Sequence, residues 1–203
     1  MHKVIQASLG VLATSLLISG SAPAQANHAQ NPAKQSAAQA SRQQHLAEIF
    51  KSLEKASWIA EGKGSRIVYI FFDPNCPYCH RVYEALRTRV GKNDLEVRWI
   101  PVGILMTTSF GKAAAILEAQ DPLAAFRENE EKFVATADAF GAAKETFASA
   151  ETEMRLNQDA KLLMQIGGQS VPTLVFRDAA GQVHVAQGAP SPQKLDALLA
   201  LVR

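Results

Sequence analysis

Ile67-Val68-Tyr69-Ile70-Phe71-Phe72-Asp73-Pro74-Asn75-Cys76-Pro77-Tyr78-Cys79 is the stretch on which the fold turns. Its first six residues form an unbroken β-branched and aromatic run, the composition of a strand buried on both faces, and Asp73-Pro74-Asn75 ends it. Downstream, His80 to Val90 is rich in helix formers, with apolar residues at Val82, Tyr83, Leu86 and Val90 and with Gly91 where a helix C-cap belongs. The order predicts a strand, a Cys-x-x-Cys pair and a helix that the pair opens.

Flanking segments extend this pattern. Leu95 to Val102 alternates as a second strand, and Thr173-Leu174-Val175-Phe176 with Val183-His184-Val185 across Asp178-Ala179-Ala180-Gly181 reads as an antiparallel hairpin. Between them, the chain from about Ser109 to Ile166 is Ala-rich and helical in pattern, with Asp121-Pro122 as a start and Gly167-Gly168 as a stop. Ser191-Pro192 opens a last helix with Leu195, Leu198, Leu199 and Val202 on one face. Upstream, Leu46, Ile49, Phe50, Leu53 and Ala56 keep helical spacing before Gly62 and Gly64. The sum is an α/β domain over 45–203, with four strands accounted for and a helical insertion at about 105–166.

The N-terminus belongs to a different class. Lys3 precedes an apolar stretch from Val4 to Ile18, and Ala22-Pro23-Ala24-Gln25-Ala26 supplies small residues in Ala-x-Ala order, so residues 1–26 read as a cleaved signal peptide. The stretch contains Ser8, Gly10, Thr14 and Ser15 and falls short of the roughly 20 apolar residues of a spanning helix. Residues 27–44, mostly Ala, Gln, Asn and Ser, carry too little apolar surface to offset the entropy of ordering them and are expected to be a flexible segment. Export places the domain where disulfides persist, a bacterial periplasm being the simplest address. The chain has 21 Lys and Arg against 19 Asp and Glu, a balance that excludes nucleic acid as an expected partner.

Two cysteines three positions apart cannot form the long-range framework that staples small secreted domains. They suit thiol chemistry: a thiolate attacks disulfides, and a helix N-terminus offers unpaired N–H groups and a positive dipole end that favour the anion. Cys76 is therefore the expected nucleophile and Cys79, one turn in, the resolving thiol. Cys76-Pro77-Tyr78-Cys79-His80 also fits the Cys-x-x-Cys-His pattern of covalent haem attachment, against which a buried strand and a hairpin weigh. A structural zinc ion usually takes four Cys or His ligands, and no second Cys pair or paired His motif is present, so neither metal nor other cofactor is expected.

Phe72-Asp73-Pro74-Asn75-Cys76-Pro77-Tyr78-Cys79, preceded by Trp58-Ile59-Ala60-Glu61-Gly62, closely resembles the catalytic domain of the DsbG/DsbC-like periplasmic thiol:disulfide interchange proteins of the thioredoxin superfamily. The Pro-Tyr interior of the motif favours the DsbG branch. The similarity runs from Trp58 to the C-terminus, through Val102-Gly103, Ala113 to Leu117 and Val171-Pro172, and is loose from Asp121 to Glu153. It implies a thioredoxin-like fold with a central mixed sheet, a helical insertion between its βαβ and ββα halves and an N-terminal amphipathic helix. It further implies that Pro77 and Tyr78 tune the redox potential, and that Val171 and a cis Pro172 lie against the cysteines and bind an extended substrate backbone. The implied partners are protein thiols and disulfides, and a membrane redox protein that recycles the pair.

Three departures qualify what the resemblance implies. Only about 20 residues separate the expected cut from the helix at Leu46, leaving no counterpart of the family's dimerisation domain, so a monomer is expected and isomerase and chaperone behaviour do not follow. Val171 stands where these relatives have threonine and the oxidase DsbA has valine, which keeps a DsbA-like net oxidase as an alternative beside a non-redox holdase. Ile70 stands six residues before Cys76, where thioredoxin and DsbA carry an acid, so proton handling falls to water or to another group such as Asp73, whose other role is capping the turn.

Overall fold

The structure is a computed structural model that describes residues 32–134 and 140–203. The expected signal peptide lies outside the described residues. Five strands make one mixed sheet in the order β1-β3-β2-β4-β5, with β1 at Ile59–Gly62, β2 at Arg66–Phe72, β3 at Leu95–Pro101, β4 at Thr173–Arg177 and β5 at Val183–Gln187. Central β2 pairs in parallel with β3, Val68 opposite Val97 and Ile70 opposite Trp99, and antiparallel with β4. Its residues Val68 to Phe72 are buried, which is why the run lacks alternation. Edge strand β1, antiparallel to β3, is a fifth strand beyond the four read from the sequence. Its four residues carry Glu61 and Gly62 and are too short to show a period.

Helix α1 spans Pro32–Leu53, so residues 32–44 are helical and the expected flexible segment is corrected there. Ala, Gln, Lys and Arg are strong intrinsic helix formers, and the helix propagates outward from the turns anchored by Leu46, Ile49, Phe50 and Leu53. The Gln43 amide pairs with both backbone groups of Val183, donating at 3.3 Å and accepting at 3.1 Å, which covers the exposed edge of β5. Helix α2 runs Pro77–Leu86, earlier than the His80–Val90 read from the sequence. Cys76 caps it with Pro77 in the first turn, and the chain leaves the helix after Leu86 so that the Gly91 N–H reaches the Leu95 carbonyl and β3 can start.

The insertion between β3 and β4 holds α3 (Ser109–Leu117), α4 (Pro122–Glu131) and α5 (Ala150–Gln165), capped at α4 and α5 by the Asp121 and Ser149 side chains. Phe126 of α4 packs edge-on against Phe72 and Tyr83 and at 4.9 Å from Trp99, so the insertion shares its core with β2, α2 and β3. The C-terminal helix α6 (Pro192–Leu201) starts at Ser191, whose Oγ accepts from the Lys194 N–H, and it buries Leu195 and Leu199.

Candidate active site around Cys76 and Cys79

Central strand β2 ends at Phe72, and the turn Asp73-Pro74-Asn75 throws Cys76 onto the N-cap of α2 with extended backbone. The Cys76 Sγ accepts the Cys79 N–H at 3.2 Å and lies 3.6 Å from the Val171 carbonyl oxygen, to which the protonated thiol donates. Both cysteines are free thiols, 2 % and 1 % exposed. The Cys76 thiol is held below its ordinary pKa, first by the Cys79 thiol donating to it, with backbone N–H groups of Cys79 and Tyr78 assisting against burial. The Cys79 thiol is pushed well above the ordinary value, first by burial, then by donating to Cys76 and by the charges of Cys76 and Glu130. The pair is thus asymmetric, with ionisation favoured at Cys76 and opposed at Cys79.

The other residues singled out in the sequence fall in two places. Val171 and Pro172 join the cysteines: both are buried, and the peptide bond between them is cis. Pro77 occupies the first turn of α2, whereas Tyr78 is 53 % exposed and turns outward under the Arg81 guanidinium, 4.9 Å from its ring centre.

Asp73 is a structural clamp. One oxygen accepts from the Asn75 N–H at 2.9 Å and the Ser109 hydroxyl at 2.8 Å, and the other accepts from the Ile104 and Leu105 N–H groups at 2.8 and 3.0 Å. Four donors around one buried carboxylate tie the turn before Cys76 to the loop after β3.

Sequence reasoning missed the polar bed that the insertion builds beneath this turn. The Asn75 side-chain amide donates to Thr108 and Ser109, and the Lys112 ammonium donates to the Asn75 side-chain oxygen Oδ1 at 2.9 Å and to the Phe140 and Gly141 backbone carbonyls. Asn129 donates to the Pro74 carbonyl at 3.1 Å and accepts from the Ala143 N–H. Glu130, 1 % exposed, accepts from Asn129 and sets its second oxygen 3.5 Å from the His80 ring nitrogen Nδ1. Burial raises the Glu130 carboxyl pKa, and Glu130 raises that of His80, whose ring stacks on Phe133 at 4.7 Å. Buried Asn, Lys and Glu in helices of otherwise ordinary pattern were the one signal available, and spacing alone does not reveal burial.

Residues 53–203 match the family model described as a thioredoxin-like domain. The chain is 32% identical over 154 residues to the thiol:disulfide interchange protein DsbG of Pseudomonas aeruginosa, covering 75% of this chain and 59% of that protein. It is 27% identical over 154 residues to DsbG of Escherichia coli K12, covering 75% and 60%. The chain thus spans about three fifths of the length of these curated relatives. A periplasmic thioredoxin-like protein from Salmonella enterica serovar Typhimurium superposes with a TM-score of 0.57 at 21% identity, covering 71% of this chain and 88% of that one, which bears on the fold alone. With a sheet, a Cys-x-x-Cys helix and a family match over most of its length, the chain belongs to the thioredoxin-like domain family.

Proposed function

We propose that this chain is a thiol:disulfide oxidoreductase that exchanges disulfides with protein substrates, Cys76 attacking and Cys79 resolving. The observation that carries the reading is the asymmetry of the pair: Cys76 caps α2 with its thiolate favoured, and Cys79 sits behind it with its proton retained. The similarity to DsbG over the same residues supports it.

In the first step the Cys76 thiolate attacks one sulfur of a substrate disulfide, forming a mixed disulfide and releasing the other sulfur as a thiolate. Cys79 then attacks Cys76, forming the Cys76–Cys79 disulfide and freeing the second substrate thiol. The reverse sequence oxidises a substrate dithiol. Val171 and Pro172, beside Cys76, present the backbone on which an extended substrate would lie, which tolerates many sequences. A nearby apolar groove of about 650 Å³, lined by Ile104, Leu163, Met164 and the Gly167-Gly168 turn, would take substrate side chains. Pro77 and Tyr78, inside the motif, would tune the potential. Residues 1–26 support export to the periplasm, where a membrane redox partner would recycle the pair; among the described residues no helix is long and apolar enough to cross a membrane.

The test is trapping. Cys79→Ala incubated with a disulfide-bonded protein such as insulin should accumulate an adduct that thiol reductants release, and Cys76→Ser should accumulate none. Absence of adduct with Cys79→Ala sinks the reading.

A further inference from the structure

The turn that delivers Cys76 is held by side chains as well as by its backbone. Cys76 donates its N–H to the Asp73 carbonyl at 2.9 Å, and Asn75 is the last residue before the sulfur. From the Asn75 side-chain amide a chain of hydrogen bonds runs both ways. Its oxygen accepts from the Lys112 ammonium at 2.9 Å, and its nitrogen donates to the Thr108 and Ser109 hydroxyls at 3.0 and 2.9 Å; the Ser109 hydroxyl donates in turn to the Asp73 carboxylate at 2.8 Å. The two charged ends decide the direction of the chain. An ammonium only donates and a carboxylate only accepts, so the amide and the Ser109 hydroxyl between them have one arrangement. A neutral amide or hydroxyl in place of Lys112 could do either and would admit a second. Lys112 is 9 % exposed, and lysine is seldom buried to that degree. Its three N–H protons are matched by three oxygens, those of Asn75, Phe140 and Gly141. An apolar side chain would fill the same space on α3 without the cost of desolvating an ammonium. What the lysine adds is a fixed Asn75 amide.

We propose that Lys112 is a positioning residue for disulfide exchange: by fixing the Asn75 amide it fixes the turn before Cys76, and so it sets the redox potential of the cysteine pair. This inference rests on the assignment of Cys76 as the attacking thiol. A fixed turn holds the Cys76 Sγ where it accepts the Cys79 N–H at 3.2 Å. That donor stabilises the thiolate and with it the reduced pair, whereas the disulfide carries no charge to stabilise. Releasing Asn75 loosens the donor, raises the pH at which Cys76 ionises and makes the pair less oxidising. Asp73 and Glu145 are the charged groups that act on Lys112, and Cys79 and Asp73 are those that act on Cys76.

The equilibrium with glutathione reads the potential: the reduced pair and one oxidised glutathione give the Cys76–Cys79 disulfide and two reduced glutathiones. Lys112→Met should move this equilibrium about tenfold toward the protein disulfide, which is about 30 mV for a two-electron couple, and should raise the midpoint pH of Cys76 alkylation. Asn75→Ala, which cuts the same link, should give the same shift, and in the double variant Lys112→Met should add nothing to it. Urea unfolding establishes that each chain is folded, and a purely structural lysine would lower that stability while leaving the potential where it is. Wild-type potentials in both single variants overturn the proposal. So does a Lys112→Met shift that keeps its full size in the Asn75→Ala chain, since the charge would then act through space and not through the amide. If Lys112→Met does not fold, Asn75→Ala decides alone, a wild-type potential there overturning the proposal. If the wild type forms no Cys76–Cys79 disulfide with oxidised glutathione, the failure lies in the assignment of the pair and not in Lys112.

Discussion

Cys76 and Cys79 have the same side chain and opposite chemistry, and three positions on a helix make the difference. At the N-cap the sulfur sees N–H donors, and one turn later it sees burial and an acid. Because the Cys79 thiol is the largest influence holding the Cys76 pKa down, Cys79→Ala should move the Cys76 titration upward. The pH profile of iodoacetamide alkylation reads both thiols. Wild-type Cys76 should be modified below the pH range of an ordinary thiol, Cys79→Ala should shift that midpoint higher, and Cys79 in a Cys76→Ala chain should react only well above it. A Cys76 midpoint unmoved by Cys79→Ala would mean that the helix N–H groups alone stabilise the thiolate.

At the scale of elements, the insertion supports the turn before Cys76. Gly141 follows α4 with φ +64°, and a Cβ there would run into the Pro74 carbonyl and the Asn129 amide, two groups that fix the turn before Cys76. Gly181, at the hairpin tip, has φ +77° but nothing within 4 Å of a Cβ. Gly141→Ala and Gly181→Ala thus share the backbone strain, roughly 1–2 kcal/mol, and differ in the collision. Urea unfolding should show the larger loss for Gly141→Ala, accompanied by slower reaction of Cys76 with oxidised glutathione, while Gly181→Ala leaves that rate unchanged. Equal losses would mean that the loop yields without disturbing Pro74.

At the scale of the molecule, Asp159 joins two parts of the fold. Its carboxylate on α5 accepts the Ser57 N–H at 3.2 and 3.3 Å, and Arg155 donates to the Ser57 hydroxyl, tying the insertion to the chain between α1 and β1. Burial pushes the Asp159 pKa up to about 6. An acid whose folded pKa exceeds its unfolded one binds more protons in the folded state between those values, so its contribution to stability is full below about pH 4 and is lost as pH rises through about 6. The effect is of order 1–3 kcal/mol. Denaturant titrations of wild type and Asp159→Asn across this range should give a stability difference that changes with pH in that sense and is flat above about pH 7.

The sheet core was legible because Val68 to Phe72 is buried on both faces and the composition of the Ile67 to Phe72 run says so without reference to anything else. The same holds for Ser191-Pro192 and Asp121-Pro122, where capping chemistry is local. The helix N-cap position of Cys76 followed from that strand, since a pair directly after a buried strand has a helix to open. Local chemistry also explains the limits. Helical propensity in 32–44 propagates from anchored turns that composition alone does not weigh, and four-residue β1 exists only because β3 offers it an edge. The bed under the cysteines brings Asn75, Lys112, Asn129 and Glu130 together from segments up to 55 residues apart, as in the Asn129–Pro74 bond. Residue type determined the thiol chemistry and the central strand; burial, which is a property of the packed chain, decided which polar side chains lie beneath the turn before Cys76.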